Sequence, residues 1–83
     1  MVYVDAAEWP YGRMLMCHML ADSVEELHAM ADRIGIKRRW FQNQRYPHYD
    51  ICKSKRVKAV SLGAVEIDRR RFVELARRCM HTP

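Results

Sequence analysis

Two kinds of hydrophobic spacing alternate along the chain, one with the period of a strand and one with the period of a helix, and their succession predicts the elements. Val2, Tyr3 and Val4 form a short β-prone run ending at Asp5, an acid placed where strand ends and sites meet. Trp9, Pro10, Tyr11 and Gly12 break any regular pattern, so residues 6–13 read as a turn or loop. Residues 14–20 are apolar at both odd and even positions, which predicts an interior strand covered on both sides. Ser23 and Glu26 have the spacing of a capping box, and Val24, Leu27, Met30, Ala31 and Ile34 follow the helical period. Gly35 supplies a left-handed stop. Residues 36–42 read as a further strand, followed by a polar connection through Asn43, Gln44, Arg45, Tyr46 and Pro47.

The stretch from Tyr46 to Arg56 reads as a short strand running into the first turn of a helix, with Ser54 as its N-cap. Strand alternation puts His48 and Asp50 on one face and Tyr49 and Ile51 on the other. Gly63 ends that helix, and residues 64–67 give one more strand. Asp68 caps a last helix from Arg69 to about Met80, with Phe72, Val73, Leu75, Ala76, Cys79 and Met80 as its apolar stripe. The order of strands and helices predicts an α/β (α+β) fold, a small mixed sheet of four to five strands with three helices packed on it.

Eighty-three residues make one domain, so residues 1–83 form a single unit. A domain of this size buries only about 60–65% of its unfolded surface, and a homo-oligomer would be a natural supplement. Three widely spaced cysteines, Cys17, Cys52 and Cys79, without a C-x-x-C pair, point away from a disulfide framework or zinc ribbon and toward a reducing cytoplasm. No apolar run approaches the roughly 18 residues of a membrane span, and no secretory signal is expected.

Charge changes the picture more. Residues 1–36 hold two bases against six acids, a net of −4, and residues 37–83 hold thirteen bases against four acids, a net of +9. The second half suits a polyanion or an acidic protein partner. Lys37, Arg38 and Arg39 followed by Trp40 and Phe41 have the interleaving of cations and rings found on nucleic-acid surfaces, and equally that of a charged edge strand. The arginines of the last helix form either a solvated face or a nucleic-acid contact.

Candidate chemistry centres on the histidines. His18 and His48 are candidate acid–base groups, histidine being the side chain whose ordinary range straddles neutral pH. Asp5 and Asp50 would orient them, or these four would bind a divalent metal ion. Lys53, Ser54 and Arg56 at a helix start, with its free N–H groups, suit a phosphate. Trp40 is a candidate stacking surface, and His28, at the margin of the first helix's apolar stripe, faces either a cleft or solvent. Each has a plainer reading, as a hydrogen-bonded core histidine or a solvated helix start. No P-loop, dinucleotide Gly-rich turn, H-E-x-x-H helix or nucleophile elbow is present in the sequence.

Val2-Tyr3-Val4-Asp5, the run Cys17-His18-Met19-Leu20-Ala21-Asp22 leading to Glu25-Glu26-Leu27-His28-Ala29, then Arg39-Trp40-Phe41-Gln42, His48-Tyr49-Asp50, Ser54-Lys55-Arg56 and Leu62-Gly63-Ala64-Val65 carry a resemblance. Together they are similar to a family of small bacterial and phage proteins catalogued as domain of unknown function 4031 (DUF4031), over residues 2–66 and without the last helix. The resemblance implies a bacterial or phage cytoplasmic protein and draws attention to His18, Asp22, His28, Trp40, His48, Asp50, Ser54 and Arg56. The expected function is a His/Asp/Arg site for a phosphate-bearing ligand, a nucleotide or nucleic acid, with phosphoesterase or nuclease-like hydrolysis. The alternatives are a non-catalytic interaction or inhibitor protein and a basic nucleic-acid-binding module.

Overall fold

The apolar run after Gly12 folds as an eight-residue strand on whose two edges the sheet is assembled. The elements in chain order are β1 (Val2–Val4), β2 (Trp9–Tyr11), β3 (Met14–Ala21), α1 (Val24–Ile34), a single 3₁₀ turn (Arg38–Trp40), β4 (Tyr49–Cys52), α2 (Lys53–Ser61), β5 (Val65–Glu66) and α3 (Arg69–Met80). This computed structural model describes residues 1–80; the side chains of Cys79 and Met80, expected on the stripe of the last helix, lie outside the described residues.

Met16 pairs with both Trp9 and Cys52, and Met19 with both Val4 and Tyr49, so β1 and β2 share one edge of β3 and β4 occupies the other. These pairings are antiparallel, and β5 lies parallel to β1 on its far side. The result is the mixed five-stranded sheet with three helices that the hydrophobic pattern predicts. Between β1 and β2 the register slips. Val4 faces Met19 and Trp9 faces Met16, so the four residues 5–8 span a stretch that only Cys17 and His18 fill on β3.

Alternation sorts the side chains onto two faces. Val2, Val4, Cys17, Met19, Tyr49 and Ile51 meet Leu27, Met30, Ala31 and Ile34 of α1 and Ala59 of α2 in the main core. His18, Leu20, His48 and Asp50 take the other face, where Phe72 of α3 stacks on His18 and Leu75 and Ala76 are buried. The helix ends follow the expected chemistry. Ser23 accepts the Glu26 N–H at 3.2 Å, and Gly35, at φ 83°, directs its own N–H to the Ala31 and Asp32 carbonyls. Asp68 accepts the Arg71 N–H at 2.9 Å at the start of α3.

Several expectations are corrected. Residues 6–13 are not simply a loop, because Trp9–Tyr11 pairs with β3 as one arm of a tight hairpin closed at Gly12, whose φ is 60°. Pro10, opposite Leu15, is tolerated since β2 is an outer strand. Residues 36–42 are not a strand: the Trp40 and Phe41 N–H groups turn back to the Lys37 and Arg38 carbonyls, and Arg38 pairs with Asp32 of α1 at 3.0 Å. Both edges of β3 are already occupied, and of residues 36–42 it is Gln42 that pairs its backbone, through a bridge to His48, while the Phe41 ring packs on Tyr49. The covering of β3 on both sides holds for its second half only, since Met14 and Leu15 are exposed. Val24 and Val73 lie outside the buried stripes of their helices. Ser54 is not an N-cap: α2 begins at Lys53 and Cys52 takes the cap position.

Replacing Ile51, which is fully buried, with alanine is expected to cost about 2–5 kcal/mol. Val57→Ala on the exposed side of α2 should cost no more than about 0.5 kcal/mol. Urea denaturation of the two variants checks this, and equal midpoints would contradict the assignment of faces.

Candidate functional site

The slipped register at residues 5–8 builds the site. In a regular antiparallel pair, residues 5 and 18 would exchange two backbone hydrogen bonds. The Asp5 N–H does donate to the His18 carbonyl at 3.1 Å. The return bond is different: the His18 N–H donates to the Asp5 carboxylate, Oδ1, at 2.8 Å. The other oxygen, Oδ2, lies 2.7 Å from Nδ1 of the His18 ring. Asp5 is buried, and both its oxygens are committed to one histidine. Its displaced backbone carbonyl instead accepts the Arg56 Nε–H at 2.9 Å, and Arg56 also pairs with Glu66 of β5 at 2.9 Å.

His48 follows from the alternation of β4. Its Nδ1 is 2.9 Å from the Tyr46 carbonyl, which can only accept, so the neutral ring carries its proton on Nδ1 and presents Nε2 as an acceptor. Nε2 is 3.6 Å from Asp50 Oδ1, and Gln42 Nε2 donates to Asp50 Oδ2 at 2.7 Å. The neutral His18 ring, whose Nδ1 faces the Asp5 carboxylate, likewise carries its proton on Nδ1. The two imidazoles lie edge to face, their centroids 5.8 Å apart. Trp9, Tyr46 and Phe72 surround them: Trp9 and Phe72 lie 4.6 and 4.7 Å from His18, and Tyr46 lies 4.5 Å from His48. The side chains of His18 and His48 remain 23% and 12% exposed.

The structure thus brings His18, His48, Asp50 and Asp5 together and leaves the other candidates apart. Arg56 reaches the centre only through the Asp5 backbone; its guanidinium is taken by Asp5 and Glu66, and it lines a small cavity with Lys53, Glu8 and Val57. Lys53 is exposed, 3.9 Å from Glu8, and the Ser54 hydroxyl lies 3.2 Å from the Cys52 sulfur. His28 belongs to the main core face, where its Nδ1 lies 2.7 Å from the buried Tyr49 hydroxyl and its ring meets Phe41. Burial pushes the Tyr49 phenol up, so its hydroxyl keeps its proton. Asp22 accepts the Tyr3 hydroxyl at 3.0 Å. Among the described residues, no three His, Cys, Asp or Glu side chains are grouped so as to hold a metal ion, and Asp5 has no free carboxylate oxygen for one.

Beside Asp50 a groove of about 480 Å³ opens, lined by Trp9, Tyr11, Met14, Trp40, Gln42 and Lys55 among others. The sequence marks Trp40 as a stacking candidate, and Trp9 and Tyr11 as rings that either stack on a base or cover the core edge; Gln42, Tyr46 and Phe72 carry no such mark, because their place at the site comes from long-range pairing that no local spacing encodes. Cys52 lines the same groove. Partial burial alone would raise its thiol, but the Ser54 hydroxyl and the N–H groups of Lys55, Ser54 and Cys52 itself outweigh that and bring it below the ordinary value. Cys17 differs: burial, followed by the nearby Asp5 charge, pushes its thiol up to about 12. Iodoacetamide near neutral pH is therefore expected to modify Cys52 at least ~100-fold faster than Cys17, as read by peptide mass spectrometry. Comparable rates would contradict the assigned environments.

A search of curated proteins and one of solved structures return no match. A family described as "Protein of unknown function (DUF4031)" matches residues 2–79, so the similarity extends past residue 66 and takes in most of α3, whose Phe72 stands on His18. With nearly the whole chain matched, from β1 through α3, this protein belongs to the DUF4031 family.

Proposed function

We propose that the chain binds a phosphate-bearing ligand, a nucleotide or the end of a nucleic acid, and hydrolyses its phosphate ester with His18 and His48 as the acid–base pair. The observation that supports this reading is the pair of adjacent imidazoles, each held through Nδ1, with Nε2 left to exchange a proton. One ring takes the proton of the attacking water while the other, protonated, delivers one to the leaving oxygen. Asp5, at Nδ1 of His18, orients that ring and stabilises its imidazolium form, as the carboxylate of a catalytic triad does, whereas Asp50 lies on the Nε2 side of His48 at 3.6 Å and stabilises that imidazolium by charge alone. A centroid separation of 5.8 Å lets both rings reach oxygens of one phosphate group. Arg56 acts in this reading as a brace for the Asp5 backbone rather than as the phosphate holder, and no metal ion is assigned a step.

A second reading, nucleic-acid binding without catalysis, is favoured by a different observation. Arg69, Arg70, Arg77 and Arg78 of α3 are exposed, and the Arg39 guanidinium lies over the Trp40 ring at 5.3 Å. Its affinity would fall steeply with salt.

The test is turnover of bis(p-nitrophenyl) phosphate, mononucleotides and short oligonucleotides. His18→Ala and His48→Ala are each expected to lose at least ~100-fold in kcat. Asp5→Asn is more selective: the amide still accepts the His18 N–H but donates to Nδ1, which places the ring proton on Nε2. A loss of at least ~100-fold is expected with the fold retained by circular dichroism. Full turnover in a folded His18→Ala/His48→Ala double variant, or no turnover of any substrate by the unaltered protein, would overturn the catalytic reading.

A further inference from the structure

The groove beside the two histidines has a chemistry of its own. Trp9 and Tyr11 of β2 and Trp40 of the 3₁₀ turn give it aromatic walls, and Tyr11 and Trp40 are 67% and 58% exposed. Besides Lys55 and Cys52, its polar part is a carboxylate and an amide already joined to each other: Gln42 Nε2 donates to Asp50 Oδ2 at 2.7 Å. That bond fixes what the pair offers. The amide donor faces Asp50, so Gln42 Oε1 is left as an acceptor, and the Asp50 carboxylate, which accepts from Gln42, offers further lone pairs. Two adjacent acceptors beside aromatic walls call for a flat ligand that carries N–H donors on its edge.

Other occupants fit less well. A hydrocarbon chain or an apolar peptide side chain would bury Asp50 and Gln42 without partners for their remaining lone pairs. A quaternary ammonium would suit the rings and Asp50 but has no N–H to donate, and it would meet Lys55 in the same groove. A nucleobase with an exocyclic amino group satisfies each part at once. Its faces stack on the rings, its amino group donates to Asp50 and Gln42, and Lys55 is available to a ring nitrogen or carbonyl acceptor. The groove's volume, about 480 Å³, falls within the range of small-ligand sites.

We propose that this groove seats a nucleobase bearing an exocyclic amine, that of cytosine, adenine or guanine, and disfavours uracil and thymine. The edge of uracil and thymine offers one N–H between two carbonyl oxygens, and those oxygens would face the Asp50 and Gln42 acceptors. The location rests on the phosphate-ester reading only in one respect: Asp50 lies between the groove and His48, so a base seated there would hold its phosphate toward the imidazoles. The base specificity does not depend on catalysis.

The experiment uses nucleosides, which have no phosphate. Indole N–H signals of Trp9 and Trp40 are followed by two-dimensional NMR during titration with cytidine, adenosine, guanosine, uridine and ribose 5-phosphate. Saturable shifts with at least one of the three amino nucleosides are expected, with uridine and ribose 5-phosphate at least ~10-fold weaker. Trp40→Ala, at an exposed position that leaves the core intact, should weaken the amino nucleosides by about tenfold. Asp50→Asn should narrow the gap between cytidine and uridine. No saturable shift with any nucleoside, uridine binding as tightly as all three amino nucleosides, or a Trp40→Ala variant with unchanged affinity would each overturn the proposal. Nucleoside binding without ester turnover would remove the catalytic reading and leave this one standing; turnover without nucleoside binding would do the reverse.

Discussion

A single exchange of acceptors holds the site in place: the carboxylate of Asp5 takes the ladder position that its own carbonyl would occupy in a regular pair. Buried N–H groups must find an acceptor, and here the acceptor is charged, so the backbone of His18 and its ring are fixed by the same side chain. The slip of register over residues 5–8 supplies the slack for this, and the freed carbonyl is answered by Arg56 from α2. Sheet, helix and histidine are thus joined at one residue.

The other half of the centre depends on a different constraint, the alternation of β4. Tyr49 and Ile51 are fully buried against the helices, which leaves His48 and Asp50 no direction except the opposite face. A shift of one residue in the pairing of β4 would bury the polar pair and expose Tyr49. The main core therefore specifies the position of the titratable groups, although none of them belongs to it. On the polar face, α3 contributes Phe72 as a ring on His18, so the last helix is part of the centre's enclosure.

What could be read from the sequence was local. The shared face of His48 and Asp50, the Ser23 cap, the Gly35 stop and the Asp68 cap each rest on spacings of a few residues, and each is found in the fold. The arm Trp9–Tyr11 reads as a loop in the sequence because a proline within three residues argues against a strand until a neighbouring strand is known to need only one side of it. Side-chain preference favours Ser54 as the cap of α2, whereas the strand before it ends at Cys52 and leaves that residue at the helix start. The charge of Arg56 suggests a phosphate, but its partners in the fold, Asp5 and Glu66, are 51 and 10 residues away along the chain. Gln42 enters only as the last residue of the motif Arg39-Trp40-Phe41-Gln42, and nothing there marks its role, which depends on the bridge to His48 that folding creates.

Pro10 has an effect beyond the hairpin. The outer margin of a sheet is a row of donors and acceptors on which a second chain can template itself, and β2 is such a margin. An imino residue at the middle of its three positions breaks the row of donors, and the strand is too short to restore it on either side. Growth of the sheet by addition of another molecule's backbone is discouraged at that border, which leaves the aromatic side chains beside it accessible without making the border adhesive.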